Sequence, residues 1–173
     1  MKKLFLVVVI LILIAFLVLW IKGNEIKEIQ TEIEIAAPPE KVWSILINIE
    51  KWSKWNPTTI QASGVASVGA ELTITMRGED GNDGPKYMPI VTSLEEPKLF
   101  KWRAKMMSNY LFTNGRVFEL EKTSTGTRLI NKETFKGMLV PLFWSKLSRH
   151  VPLLLNEMNE ALKVQAEKDS GKL

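Results

Sequence analysis

Few residues in this chain could do chemistry, and three of them fall together. Arg116, Asn131 and Glu133 lie on two alternating runs separated by a polar turn at residues 123–126. If Lys122 pairs with Thr127 across that turn, Glu133 falls directly opposite Arg116 and Asn131 opposite Phe118. Parity then puts all three on the face that also carries Phe118, Leu120, Leu129 and Phe135. A charge on such a face must be paired or wet, because an isolated buried charge is costly. The pair could anchor the polar end of an apolar ligand. It could equally be a partly exposed salt bridge near the end of a sheet. As acid–base chemistry it is weak, since a carboxylate held against a guanidinium stays ionised and donates protons poorly.

The other reactive groups are scattered. His150 is the single histidine, with Ser145 and Ser148 near it but no carboxylate placed to orient it; a surface or capping role fits it better than a triad. Asp80 and Asp83 belong to the run EDGNDG at residues 79–84, whose acidic spacing does not match a calcium loop and which reads as a solvated hairpin tip. With no cysteine there is no thiol nucleophile, disulfide or Cys-bound zinc. Gly-rich phosphate loops, metal-ligand spacings and base-stacking motifs are missing too, so neither a cofactor nor a metal is expected. The net charge is +4, and setting aside Lys2, Lys3, Lys22 and Glu25 halves it. That excess is too small to argue for nucleic acid.

The elements that must position the pair are legible. Residues 33–57 read as a strand with Ile33 and Ile35 on one face, a Pro38-Pro39 corner, and a short helix. That helix carries Val42, Trp43, Leu46 and Ile47 at helical spacing, and a second turn carries Trp52 and Trp55. Residues 60–68 suggest a short edge strand. Leu72, Ile74 and Met76 alternate, as do Met88, Ile90, Thr92 and Leu94. Phe100, Trp102, Ala104 and Met106 share a face, opposite Lys101, Arg103 and Lys105. A loop over residues 107–114 carries Tyr110, Leu111 and Phe112, which could touch a membrane, gate a cavity or pack as a lid or core. The last long segment carries a stripe of Leu147, Val151, Leu154, Leu155, Met158, Ala161 and Leu162. Pro152 requires this helix either to begin there or to bend there.

The strand, double-proline corner, short helix and Trp-rich turn resemble the opening of the SRPBCC superfamily of START and Bet v 1-like proteins, which includes the polyketide cyclase/dehydrase and lipid transport group. Val68-Gly69-Ala70-Glu71-Leu72, residues 91–102 (VTSLEEPKLFKW), Phe118-Glu119-Leu120, Gly126-Thr127-Arg128-Leu129 and Phe135-Lys136-Gly137 extend the resemblance. It implies an α+β helix-grip fold. About six or seven antiparallel strands would curve around a long C-terminal helix, with two short helices after the first strand. It also implies an apolar cavity between sheet and helix. The expected walls are Trp43, Leu46, Trp102, Phe118, Phe135, Leu154 and Met158, with Arg116, Asn131 and Glu133 as the polar groups. The resemblance fixes no single activity.

Ahead of this domain, residues 4–21 are an unbroken apolar run, flanked by Lys2, Lys3 and Lys22, with Trp20 at its far end. The run nearly spans a hydrocarbon core of about 30 Å. It is long for a signal peptide and lacks a small-residue cleavage site, so it reads as a single-pass anchor. The expected organisation is an anchor at 1–25, a domain at 26–168 and a flexible tail at 169–173. The basic N-terminus leans toward an extracytoplasmic domain. Three functions compete. The first is a membrane-anchored domain that binds a hydrophobic small molecule or lipid. The second is a cyclase- or hydrolase-like enzyme using Glu133, and the third a filled-core interaction module at the membrane. Oligomeric state is left open.

Overall fold

The alternation at the start of the domain becomes β1 (Lys27–Ile35), which buries Ile29 and Ile35 and exposes its glutamates. A computed structural model describes residues 1–78, 80–105 and 108–168. The expected tail at 169–173, Met106 on the face of Trp102, and Glu79 of the EDGNDG turn lie outside them. Before β1 stands α1 (Lys2–Gly23), a 22-residue helix. It is long and apolar enough to cross a membrane, at about 33 Å.

Pro39 opens α2 (Pro39–Leu46) at a position where its missing N–H costs nothing, and Glu40 sits in the positive first turn. The helix buries Val42, Trp43 and Leu46. A 3-10 turn (Ile49–Lys51) and the short α3 (Trp52–Trp55) follow, and Trp52 Nε1 donates to the Leu46 carbonyl at 2.9 Å.

The strands are β2 (Thr59–Ser63), β3 (Thr73–Arg77), β4 (Asp83–Tyr87), β5 (Ile90–Glu95), β6 (Leu99–Lys105), β7 (Thr113–Lys122) and β8 (Thr127–Lys136). They form two antiparallel ladders, β1-β8-β7-β6-β5 and β2-β3-β4. A Glu71–Ile90 bridge joins the ladders, and the Leu72 N–H donates to the Pro89 carbonyl. β4 and β5 are therefore two halves of one bent path. Pro89 sits at the break and has no N–H to give a ladder. This is why eight strands appear where six or seven were expected.

The alternation of Met88, Ile90, Thr92 and Leu94 does not describe one buried face. Met88 and Ile90 are exposed, whereas Val91 is buried. The register shifts between Val91 and Ser93, and this bulge lets Val91 and Leu94 both pack on the core despite opposite parity.

The C-terminal helix α4 (Val140–Glu167) runs through Pro152 without ending. Ser148 loses the N–H it would accept there, but it is exposed, so water can serve its carbonyl. The helix buries Val151, Leu155, Met158, Asn159, Leu162 and Ala166. Leu154 is 40% exposed, a correction to its expected place in the wall. At 100° per residue it lies well to one side of the buried line through Val151, Leu155, Met158 and Leu162. Leu155→Ala is expected to cost about 2–5 kcal/mol and Leu154→Ala under about 1 kcal/mol, read by urea unfolding in detergent micelles.

Candidate functional site

Arg116 lies near the start of β7, and its partners come from the next strand and from α4. The β7/β8 register sets Arg116 opposite Glu133, Phe118 opposite Asn131 and Lys122 opposite Thr127. Arg116 Nη1 donates to Glu133 Oε2 at 2.8 Å, and its Nε donates to Asn131 Oδ1 at 2.8 Å. Nη2 reaches Met158 Sδ at 3.3 Å, and the guanidinium lies 5.2 Å from the Phe118 ring centroid. These contacts use three of the five N–H donors of the side chain. The other oxygen of Glu133 accepts from Asn114 Nδ2.

The network continues away from the pair. Asn131 Nδ2 donates to Asn159 Oδ1 at 2.8 Å, and Asn159 Nδ2 donates to Thr31 Oγ1 at 2.9 Å. Thr31 is the register partner of Asn131 on β1. A polar chain thus crosses β7, β8 and β1 and ties all three to α4. Arg116 and Glu133 are 12% and 16% exposed, and both asparagines are buried. Burial holds the Arg116 guanidinium below its ordinary pKa, and the Glu133 carboxylate works in the opposite direction. The guanidinium keeps its charge because arginine starts so high. Tyr87, on β4, is raised above 10.0, first by burial and then by the charge of Glu133.

Trp43, Leu46, Trp102, Phe118 and Met158 meet in one apolar cluster. Its rings are in close contact. Centroids lie 5.1 Å apart for Phe100 and Trp102, 5.3 Å for Trp102 and Phe118, and 5.6 Å for Trp52 and Trp102. Phe135 belongs to a second cluster with Ile29, Phe112, Val140, Val151 and Leu155. Leu154 joins neither. Two surface depressions, of about 260 and 290 Å³, lie elsewhere: one by Ala36–Pro39 and Lys122–Gly126, the other by Lys54, Trp55 and the end of α4. No sequence-predicted site residue lines either. Trp43 Nε1 is buried and, among the described residues, has no acceptor. Ser145, Ser148 and His150 are exposed on α4, and Arg149 Nε donates to the Ser145 carbonyl. Asp80 accepts from the backbone and side chain of Asn82 at the exposed hairpin tip.

Sequence reasoning missed Thr31, Tyr87, Asn114 and Asn159. Asn159 left a signal, since it stands four residues after Leu155 and three before Leu162, a polar residue on the buried stripe. Asn114 left one as well, since it stands two residues before Arg116 on β7 and so shares its face beside Glu133; Tyr87 left none, because its approach depends on how β4 is brought over β7 and β8.

Residues 27–167 match the profile of the family described as polyketide cyclase / dehydrase and lipid transport. No curated protein sequence matches the chain. Among solved structures, the aromatase/cyclase Zhui from Streptomyces sp. R1128 is similar at TM-score 0.70 and 13% identity, over 86% of this chain and 98% of that one. A START superfamily protein from Mycobacterium smegmatis is similar at TM-score 0.66 and 16% identity, over 82% and 97%. The di-domain ARO/CYC StfQ from the steffimycin biosynthetic pathway is similar at TM-score 0.72 and 13% identity, over 87% of this chain. This chain spans about half of StfQ, 54% of its length. At these identities the likeness is one of fold.

Two outcomes follow from the network. Glu133→Gln leaves the guanidinium buried without its counter-charge and is expected to cost about 3 kcal/mol or more. The double variant Arg116→Met/Glu133→Leu is expected to cost less than Glu133→Gln alone in urea unfolding. Tyr87 is expected to contribute stability that is complete below pH 10.0 and is lost as the pH rises through its higher folded value. Tyrosinate absorbance of Tyr110→Phe, which leaves Tyr87 as the one tyrosine, reads this midpoint, and Glu133→Gln should lower it.

Proposed function

This chain belongs to the polyketide cyclase / dehydrase and lipid transport family, and from that premise we propose that it binds an apolar small molecule or lipid between the sheet and α4. The polar end of the ligand would sit on Arg116. The observation that carries the reading is a charged pair on a concave face otherwise lined by Phe118, Leu120, Leu129 and Phe135. A buried pair is weak as a source of stability compared with apolar residues of similar size. Recognition of a polar group accounts for its presence there better than stability does. Two guanidinium N–H groups remain beyond those bound by Glu133, Asn131 and Met158. The unpartnered Trp43 N–H adds another donor in the same apolar cluster. A ligand with a carbonyl, carboxylate or phenolic oxygen on an apolar body suits these donors.

Glu133 is less suited to act as a base, because Arg116 and Asn114 occupy both of its oxygens. A binding role therefore fits better than a cyclase- or hydrolase-like one. The close ring contacts of Trp52, Phe100, Trp102 and Phe118 favour a second reading, a filled core serving as an interaction module.

In the same reading α1 is retained as a single-pass anchor with the domain outside the cytoplasmic membrane. The Gly137 N–H donates to the Gly23 carbonyl at 2.8 Å, so the end of α1 is built into the domain rather than hung from it.

The test is native mass spectrometry of the full chain released from micelles, with solvent extraction of whatever co-purifies. A bound apolar species is expected, and it should be lost in Phe118→Arg. Arg116→Met should weaken binding of a fluorescent fatty acid or hydroxylated polyaromatic probe about tenfold or more, since a charged hydrogen bond is worth about 1.5–3 kcal/mol. A clean apo mass with no probe binding would leave the filled-core reading in its place.

A further inference from the structure

The junction between α1 and the domain fixes more than a tether would. Trp20 in the last turns of α1 stacks on Tyr110, with ring centroids 6.3 Å apart and planes 20° apart. Gly23 packs so tightly on Gly137 that a Cβ on Gly23 would stand 2.6 Å from the Gly137 carbonyl carbon. The Met138 and Leu139 N–H groups donate to the Tyr110 and Leu111 carbonyls. The end of α1, the loop at 108–112 and the start of α4 are therefore one unit.

Depth follows from this unit. If α1 spans the bilayer, Trp20 lies at the interface, where an indole is favoured. Tyr110, stacked on it, must lie at the same depth. Around this point the surface is apolar: Tyr110 is 70% exposed, Leu142 60%, Phe143 50% and Ile26 67%. The same end of the sheet is basic. Lys105 and Lys136 both register against Thr113 at the start of β7, and both are exposed, as is Lys146 on α4. Apolar side chains ringed by lysines suit the boundary between acyl chains and anionic headgroups.

We propose that the loop at 108–112 and the start of α4 rest in the interfacial layer of the bilayer that α1 spans. Tyr110, Leu142 and Phe143 contact lipid there, and Lys105, Lys136 and Lys146 meet anionic headgroups. The inference rests on the reading of α1 as an anchor. It adds a fixed orientation, in which the Arg116–Glu133 end of the interior faces the membrane. Arg116 is three residues from Thr113 along β7, about 10 Å. The ligand source this arrangement favours is the bilayer itself.

The cysteine-free chain allows single reporters. Leu13→Cys, Tyr110→Cys, Phe143→Cys and Lys122→Cys would each carry an environment-sensitive fluorophore, in the full chain. Lys122 is exposed at the far end of β7, about 30 Å from Thr113. The vesicles are phosphatidylcholine with about one-third phosphatidylglycerol and a nitroxide-labelled lipid as quencher. Quenching at 13, 110 and 143 is expected to exceed that at 122, about threefold or more at 110 and 143. If 13 is quenched while 110 and 143 behave like 122, the proposal is overturned and the anchor stands. If 13 is not quenched, anchor and proposal fall together. Omitting phosphatidylglycerol should weaken quenching at 143 and leave 13 unchanged; no change at 143 would overturn the lysine contacts.

Discussion

A guanidinium buried on the concave face of the sheet is the constraint on which the rest depends. Arg116 cannot be left there without partners, because burying an unpaired charge is far more costly than any one apolar neighbour can offset. Glu133 and Asn131 meet that need only in one β7/β8 register, since a slip of one residue would turn both to the other face. Asn131 passes the demand to Asn159, and Asn159 to Thr31. The helix must then lie where its single buried asparagine faces β1 and where Met158 meets the guanidinium. Apolar packing alone would tolerate several positions of a helix on a sheet. The hydrogen-bond chain selects one.

The curvature that makes the face concave has a separate origin. Pro89 interrupts the path from β4 to β5, and the bulge between Val91 and Ser93 turns it further. The three-stranded ladder is thereby brought over the five-stranded one. Tyr87 comes into the field of Glu133 for this reason, although no strand pairing links them. The aromatic layer of Trp52, Phe100, Trp102 and Phe118 occupies the inside of this bend.

The apolar helix α1 and the rest of the chain share a joint made of small residues. Gly23 and Gly137 have no Cβ, and Gly137 adopts φ +134°, which other residues avoid. This absence of side chains lets two backbones meet directly. A helix held this way has its direction fixed relative to the sheet.

Much was legible in the sequence because it rests on local periodicity. The alternation in β1, β3, β6, β7 and β8, the proline corner before α2 and the apolar run of α1 are properties of neighbouring residues. The Arg116–Glu133 pair was legible too, because parity and a four-residue turn carry a hairpin register over many residues. Tertiary structure decided the rest. It carried α4 through Pro152, on a stretch where Ser148 is exposed to water, and it put Leu154 outside, since burial of a helix face depends on what faces it. It split one expected strand at Pro89 and reversed parity at the Val91 bulge. It also brought Tyr87 from β4 near Glu133, and Asn159 from α4 between Asn131 and Thr31 of β1. Local sequence sets which face of an element is apolar; only the packing of one element on another sets which polar groups meet inside.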